Sequence, residues 1–233
     1  MSIMMIACFM PTMAFAAISE NDIALTGKLT LGPPNDINIG ADNQVVDFGT
    51  SSYGFTENNT LNVTITNNST TDATGELTVT VKNKDADSST SPYFTLGEGQ
   101  GTITSIAAKS DNGEANNTAA FTVKAAADLA ARETPYVATV TITNGSDSST
   151  INKSFDVQIK VAKQSVEVPK AISGLSYDGT VKTGVTQTEA DKKIYTLSGN
   201  TATDAGSHEA TATLTDTDNY AWNLGESAEA SSE

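Results

Sequence analysis

Apolar residues and threonine alternate along Val63-Thr64-Ile65-Thr66-Asn67, and the same five letters return at Val140-Thr141-Ile142-Thr143-Asn144. A period of two sends every second side chain to one face, the pattern of a strand with one buried side. Each pentad is followed by another alternating run, Leu77-Val79-Val81 after the first and Phe155-Val157-Ile159-Val161 after the second. The same periodicity predicts strands over residues 45–48, 61–66, 76–82, 93–96, 102–106, 119–124, 136–143 and 154–162. Clusters of Asn, Gly, Asp and Ser separate them, residues whose backbone freedom or side-chain hydrogen bonds favour turns. Short strands at this spacing, over about 120 residues, predict an antiparallel sandwich across residues 45–163. The stretch 125–131 is the one that reads as a helical turn.

Residues 17–44 read as a lead-in segment, with one weak strand in Ile23-Leu25 and Leu29-Leu31 before Gly32-Pro33-Pro34 breaks it. A boundary falls at Lys163-Gln164, and Pro169 and Gly174 then punctuate a second set of strands over 166–168, 193–197 and 209–214. Residues 164–224 thus form a second, small β-domain, short for an independent core. A polar tail, 225–233, follows Tyr220-Ala221-Trp222 and offers no closing strand. The fold class expected is all-β: two tandem antiparallel sandwiches, the second incomplete, with an open edge and either a continuation in a longer natural chain or a truncated reading frame.

The first residues are uncharged and apolar, and Ala14-Phe15-Ala16 precedes Ala17 as small residues precede a signal-peptidase cut, so residues 1–16 read as a signal peptide. The run lacks a basic start, since the first Lys is Lys28, and it is too short to span a bilayer. Its removal would take away the sole cysteine, Cys8, leaving no disulfide and no thiolate metal site. A cysteine-free secreted chain fits a bacterial surface better than a disulfide-rich extracellular setting, so a secreted or cell-wall location is expected.

Charge narrows the partners. Thirteen basic residues face 28 acidic ones, for a formal charge of -15. Such a surface repels phosphate backbones and anionic lipid, which argues against nucleic acid and against peripheral membrane binding; no membrane insertion of the mature chain is expected.

Candidate chemistry is sparse. His208 is the only histidine and sits between Gly206 and a strand, with no spacing that suggests a triad. Carboxylate pairs such as Asp85 and Asp87, or Asp216 and Asp218, lie in polar turns where carboxylates are ordinarily solvated. Asp216-Thr217-Asp218-Asn219 offers oxygens for calcium, but the same letters make an ordinary Asx turn. Asn62-Val63-Thr64 and Asn116-Asn117-Thr118 match the glycosylation triplet, as chance provides in an Asn- and Thr-rich chain. No catalytic residue, cofactor or metal site is expected. Tyr220 and Trp222 share strand parity, and two rings on one exposed face would stack on sugars; equally, a lone Trp is ordinarily core.

The first domain resembles bacterial immunoglobulin-like modules related to the ASH family. Val46-Asp47-Phe48-Gly49-Thr50, Leu61 to Asn68, Phe121-Thr122-Val123 and Tyr136 to Ile142 carry the resemblance. Leu129 to Tyr136 is longer than the family's usual turn and lacks its glycine. The second domain is similar to YDG/MBG-like repeats of large bacterial surface proteins, through Leu175 to Thr180, Tyr195 to Asn200, Thr203 to Leu214 and Asn219 to Trp222. Both resemblances imply secreted or wall-associated β-modules strung in tandem, and neither implies a catalytic residue. The function expected is a non-catalytic stalk or adhesion protein whose ligand is a host or cell-wall glycan or protein. The alternative is a glycan-binding accessory module of a secreted carbohydrate-active enzyme.

Overall fold

The computed structural model describes residues 23–29, 37–38, 44–55, 60–85, 91–110, 116–127, 129–145 and 151–224. The expected signal peptide and the polar tail lie outside them. The fold is all-β. One five-stranded sheet runs β2 (Ile37–Asn38), β1 (Ile23–Leu29), β4 (Thr60–Asn67), β8 (Thr118–Ala125), β6 (Phe94–Leu96). The facing sheet runs β3 (Val45–Ser52), β10 (Asn152–Ala162), β9 (Tyr136–Thr143), β5 (Leu77–Asn83), β7 (Thr102–Ile103). Reading β1, β4, β8 and β6 as A, B, E and D, and β5, β9 and β10 as C, F and G, gives the immunoglobulin-type strand order.

The two copies of the pentad occupy equivalent places, one in β4 and one ending β9, each strand flanked on both sides within its sheet. Leu61, Val63 and Ile65 from one sheet and Val140 and Ile142 from the other are fully buried. Phe94, Phe121 and Phe155 fill the layer between the sheets. Each such side chain contributes roughly 1.5–3 kcal/mol by leaving water. The closing Asn does not point to solvent in either copy. Asn67 is buried, donates through Nδ2 to the carbonyls of Asp72, Ile106 and Ala107, and accepts from Ser69 N–H. Asn144 donates to Thr74 O and accepts from Ile151 N–H. Both pin a loop across an end of the sandwich.

Two expectations change. The lead-in is part of the sandwich: β1 pairs with β4 along its full length, Ile23 opposite Asn67 through Leu29 opposite Leu61, and Ile23 and Leu25 are buried. Its short apolar alternation is weak in isolation and gains its stability from burial against β4. No helix forms among the described residues of 125–131. There the loop is held by Tyr136, whose hydroxyl donates to Ala130 O at 2.9 Å, the corner that a tyrosine makes at the start of strand F.

The motif Val46 to Thr50 builds a β-bulge. The parallel register of β3 on β10 pairs Asp47 with Gln158 but Thr50 with Lys160, so β3 carries an extra residue there. Gly49 takes φ +80°, and its N–H is accepted by Asp47 Oδ1 at 2.7 Å. Phe48 is thereby directed onto Phe94, edge to face at 5.2 Å.

One residue, Lys163, separates β10 from β11 (Gln164–Glu167). The second module consists of three two-stranded sheets: β11 with β16 (Tyr220–Asn223), β12 (Lys182–Thr183) with β14 (Thr201–Ala202), and β13 (Tyr195–Ser198) with β15 (Thr211–Leu214). Tyr220–Asn223, read from sequence as the lead into an unpaired tail, is a strand paired in parallel with β11.

Candidate functional site

The second module is where the described surface departs from an ordinary protein exterior. Six of the seven large apolar side chains that stand exposed lie in it: Val168, Ile172, Leu175, Tyr177, Val181 and Leu224. Strand parity explains part of this. Val166 and Trp222 are opposite one another across β11 and β16, and Leu197 and Ala212 across β13 and β15, so these two of the three sheets each have an apolar face. Only a narrow seam between the faces closes: Val166, Val185 and Tyr195 are buried, and the Trp222 ring lies 5.3 Å from that of Tyr195. Beside the seam runs a cleft of about 230 Å³ lined by apolar residue types, among them Val168, Leu197, Ala212, Trp222 and Leu224, with backbone polar groups between them. It adjoins a second cleft of about 520 Å³ through the shared residues Pro169, Val185 and Ala210.

Tyr220 and Trp222 are both half-buried, and each is engaged by another ring. Trp222 packs on Tyr195, and Tyr220 meets Tyr53 of the sandwich edge to face at 5.4 Å. The shared parity is real, but the rings serve different neighbours: one lines the apolar cleft, the other joins the two modules. A pair free to stack on sugar is not what the geometry presents.

The junction is the second constructed feature. The turn before β16 lies against the sandwich: Ala131 N–H donates to Asn219 Oδ1 at 2.8 Å, Gln164 N–H to Asn219 O at 2.8 Å, and Lys163 Nζ to Thr217 O at 2.7 Å. Asp216 holds this turn from within. Its Oδ1 accepts from the N–H groups of Asp218 and Asn219, and its Oδ2 from Asn219 Nδ2. The Asn219 side chain foremost, then the turn's backbone and nearby Lys163, hold the Asp216 carboxyl below the usual carboxylate range, with partial burial opposing. Asp216-Thr217-Asp218-Asn219 is accordingly an Asx turn whose lead carboxylate is directed to its own N–H donors.

The other candidates fall elsewhere. Asp85 is paired with Arg132 at 2.9 Å, and Asp87 lies outside the described residues. His208 is exposed, with Nε2 2.8 Å from Asp204 O. Asn62 is an exposed position of β4. Asn116 is likewise exposed, just before β8. Among the described residues, no group of three or more His, Cys, Asp or Glu converges on a metal position. No helix there is long and apolar enough to cross a membrane.

Two clusters escaped the sequence reading. Arg132, the chain's only arginine, lies 3.4 Å above the Tyr136 ring and 5.4 Å from that of Tyr93. It also donates to Thr134 O and Pro135 O, so it closes the loop that Tyr136 corners. On the outer face of the second sheet, the buried Asp156 accepts from Lys84 Nζ at 2.5 Å and from Thr139 Oγ1 at 2.7 Å. Register across three strands creates that triad, and linear spacing gives no sign of it.

No family model and no curated protein sequence matches the chain. Solved structures give distant likenesses. A family 123 glycoside hydrolase from Clostridium perfringens aligns with a TM-score of 0.36 at 9% identity, over 51% of this chain and 22% of the hydrolase. The sialic acid binding region of a Streptococcus sanguinis adhesin aligns at 0.26 and 14% identity, over 64% of this chain and 35% of that one. The seventh type I cohesin of ScaB from Pseudobacteroides cellulosolvens aligns at 0.20 and 12% identity, over 52% and 91%. The aligned part spans well under half of the hydrolase and of the adhesin region.

Proposed function

We propose that this chain is a non-catalytic secreted or cell-surface protein whose β-modules act as load-bearing stalk or adhesive units. One observation carries the reading. Among the described residues only two strand pairs are parallel, β3 with β10 and β11 with β16. The first joins the strand that opens the sandwich's second sheet to the strand that leaves it. The second joins the strand that opens the next module to the last strand described.

Once β1 is drawn off β4, tension entering at the start of one parallel strand and leaving at the end of its partner pulls the two past each other. All their inter-strand hydrogen bonds are then loaded together, whereas a hairpin pulled from its open end loses them one at a time. A single-residue linker and a bonded junction pass that tension from one module to the next. The resemblance to ASH-like and YDG/MBG-like surface modules fits such a role. The non-catalytic part of the reading is supported by the fate of the carboxylates: Asp85, Asp156, Asp178 and Asp216 are each engaged by a lysine, an arginine or their own turn.

Single-molecule pulling tests the idea. With Cys8→Ser, handles on cysteines at positions 44 and 163 load β3 and β10 in shear, while handles at 44 and 153 peel the same pair apart from one end. Rupture forces several-fold higher in the first geometry are expected. Equal forces in the two geometries would remove the basis for a load-bearing role.

A further inference from the structure

We infer that the second module is a reserve of chain length shielded from tension and released in a single step, a property that rests on the load-bearing role proposed above. β16 runs in the same direction as β11 and in step with it, from Tyr220 opposite Gln164 to Asn223 opposite Glu167. The chain therefore leaves the sandwich along β11, makes the excursion 168–219, and returns to the sandwich's base before it runs outward again as β16. At the return it is tied to the sandwich directly. Asn219 accepts from Ala131 N–H through its side chain and from Gln164 N–H through its carbonyl, Lys163 Nζ donates to Thr217 O, and the Tyr220 ring meets that of Tyr53. Tension applied at the end of β16 thus has two routes into the sandwich: across the ladder to β11, and down β16 into the turn 217–220. Neither passes through residues 168–216, which bear no load while both routes hold.

Once the two routes fail, little else resists. Among the described residues past 163, only Val166, Val185 and Tyr195 are buried, whereas the sandwich packs a continuous core between two five-stranded sheets. Val166 and Trp222 belong to the strands that part, so rupture takes Val166 out of the seam and the Trp222 ring off Tyr195. What is left is the β12–β14 pair, two residues long, and the β13–β15 pair, four residues long, and an isolated pair of strands is marginal at best in water. Release should therefore be all at once. It should also come first: the β11–β16 ladder pairs four residues of each strand over a small core, the β3–β10 ladder six over a large one. The second module then yields length, and lowers the tension, before the sandwich opens.

Pulling the full chain with Cys8→Ser and handles on cysteines at positions 44 and 224 loads the two ladders in series. The expected trace begins with one step of about 190 Å, roughly 60 residues at about 3.4 Å each less the span of one short strand. A larger step follows at higher force as the sandwich opens. A second protein carries ten alternating Gly and Ser residues inserted between Gly174 and Leu175, where the chain is exposed. Its first step should lengthen by about 34 Å at unchanged force, because slack added to an unloaded segment is felt only after rupture. A first step broken into several, a sandwich that opens before it or together with it, or an insertion that lowers the force would each overturn the shielding. Failure of the load-bearing role alone reads differently. The steps would keep their order and lengths while the 44–163 and 44–153 geometries rupture at equal force, which supports the shielding and refutes the role.

Discussion

Asn219 Oδ1 accepts a hydrogen bond from the backbone N–H of Ala131, a residue 88 positions earlier in the other module. The same asparagine accepts from Gln164 N–H through its carbonyl and donates to Asp216 through Nδ2. One side chain therefore satisfies the sandwich's loop and the last turn of the second module at once. Asn219→Ala removes the side-chain bonds and leaves Ala131 N–H without that acceptor, an expected loss of roughly 1–3 kcal/mol. The loss should fall on the coupling. Residual dipolar couplings that fit one alignment frame in the parent should need two frames in the variant, with the sandwich amides unshifted away from residues 129–132.

The Lys84–Asp156 pair is lopsided: the lysine side chain is 57% exposed and the carboxylate 9%. Removing the lysine leaves a buried charge with Thr139 as its remaining side-chain partner, whereas removing the charge lets the lysine rehydrate. Lys84→Met should therefore cost more than Asp156→Asn, which retains an acceptor for Thr139. The double variant should be more stable than Lys84→Met alone, with a coupling of about 1 kcal/mol, at the low end for contacting residues because the lysine is half in water. Urea unfolding of the four proteins completes the cycle. Strictly additive effects would mean that the pair contributes nothing beyond its parts.

Legibility differed between the modules for a physical reason. In the sandwich, both sheets bury one face, so period-two alternation and burial coincide, and the strands over 61–66, 119–124 and 136–143 extend by only a residue or so in the structure. β1 is weakly marked in the sequence because its three apolar positions are decisive only when β4 lies beside them. In the second module the alternation at 195/197, 212/214 and 220/222 is equally visible, yet it ends in a half-open trough rather than a core. Alternation reports which side chains share a face, not whether anything covers it. The Arg132 and Asp156 clusters assemble residues from three separate segments each, and no local pattern encodes such contacts.

Burial pushes the Tyr136 hydroxyl up from its ordinary value, with neighbouring Tyr93 and Asp85 in the same direction and Arg132 opposing. Burial, followed by Asp191, does the same to Tyr195. A phenol whose folded-state value is raised favours the folded state by holding its proton. The contribution is fully present below pH 10, the unfolded value, and is lost as pH rises through the folded one. Stability should therefore decline above about pH 10, with part of the slope removed in Tyr136→Phe and part in Tyr195→Phe. Below that pH, Tyr136→Phe should still cost about 1 kcal/mol for the lost bond to Ala130 O. Denaturant midpoints measured from pH 8 to 11 separate the two effects, and an unchanged alkaline slope in both variants would refute the assignment.

Gly49 and Gly199 share a left-handed backbone, φ +80° and +67°, but differ in surroundings. A Cβ built on Gly49 meets nothing within 4 Å, so Gly49→Ala carries only the conformational penalty of about 1–2 kcal/mol. A Cβ on Gly199 would lie 2.4 Å from the carbonyl oxygen of Glu209. That oxygen belongs to the backbone leading into β15, and it cannot retreat without moving the strand paired with β13. Gly199→Ala should therefore exceed Gly49→Ala in cost and act on a different module. It should open the β13–β15 pair, expose Tyr195 and shift Trp222 emission to the red, while amide protection in β4 and β9 stays at the parental level. Hydrogen exchange read residue by residue decides the matter, because loss of protection throughout the sandwich would mean that the two modules unfold as one unit.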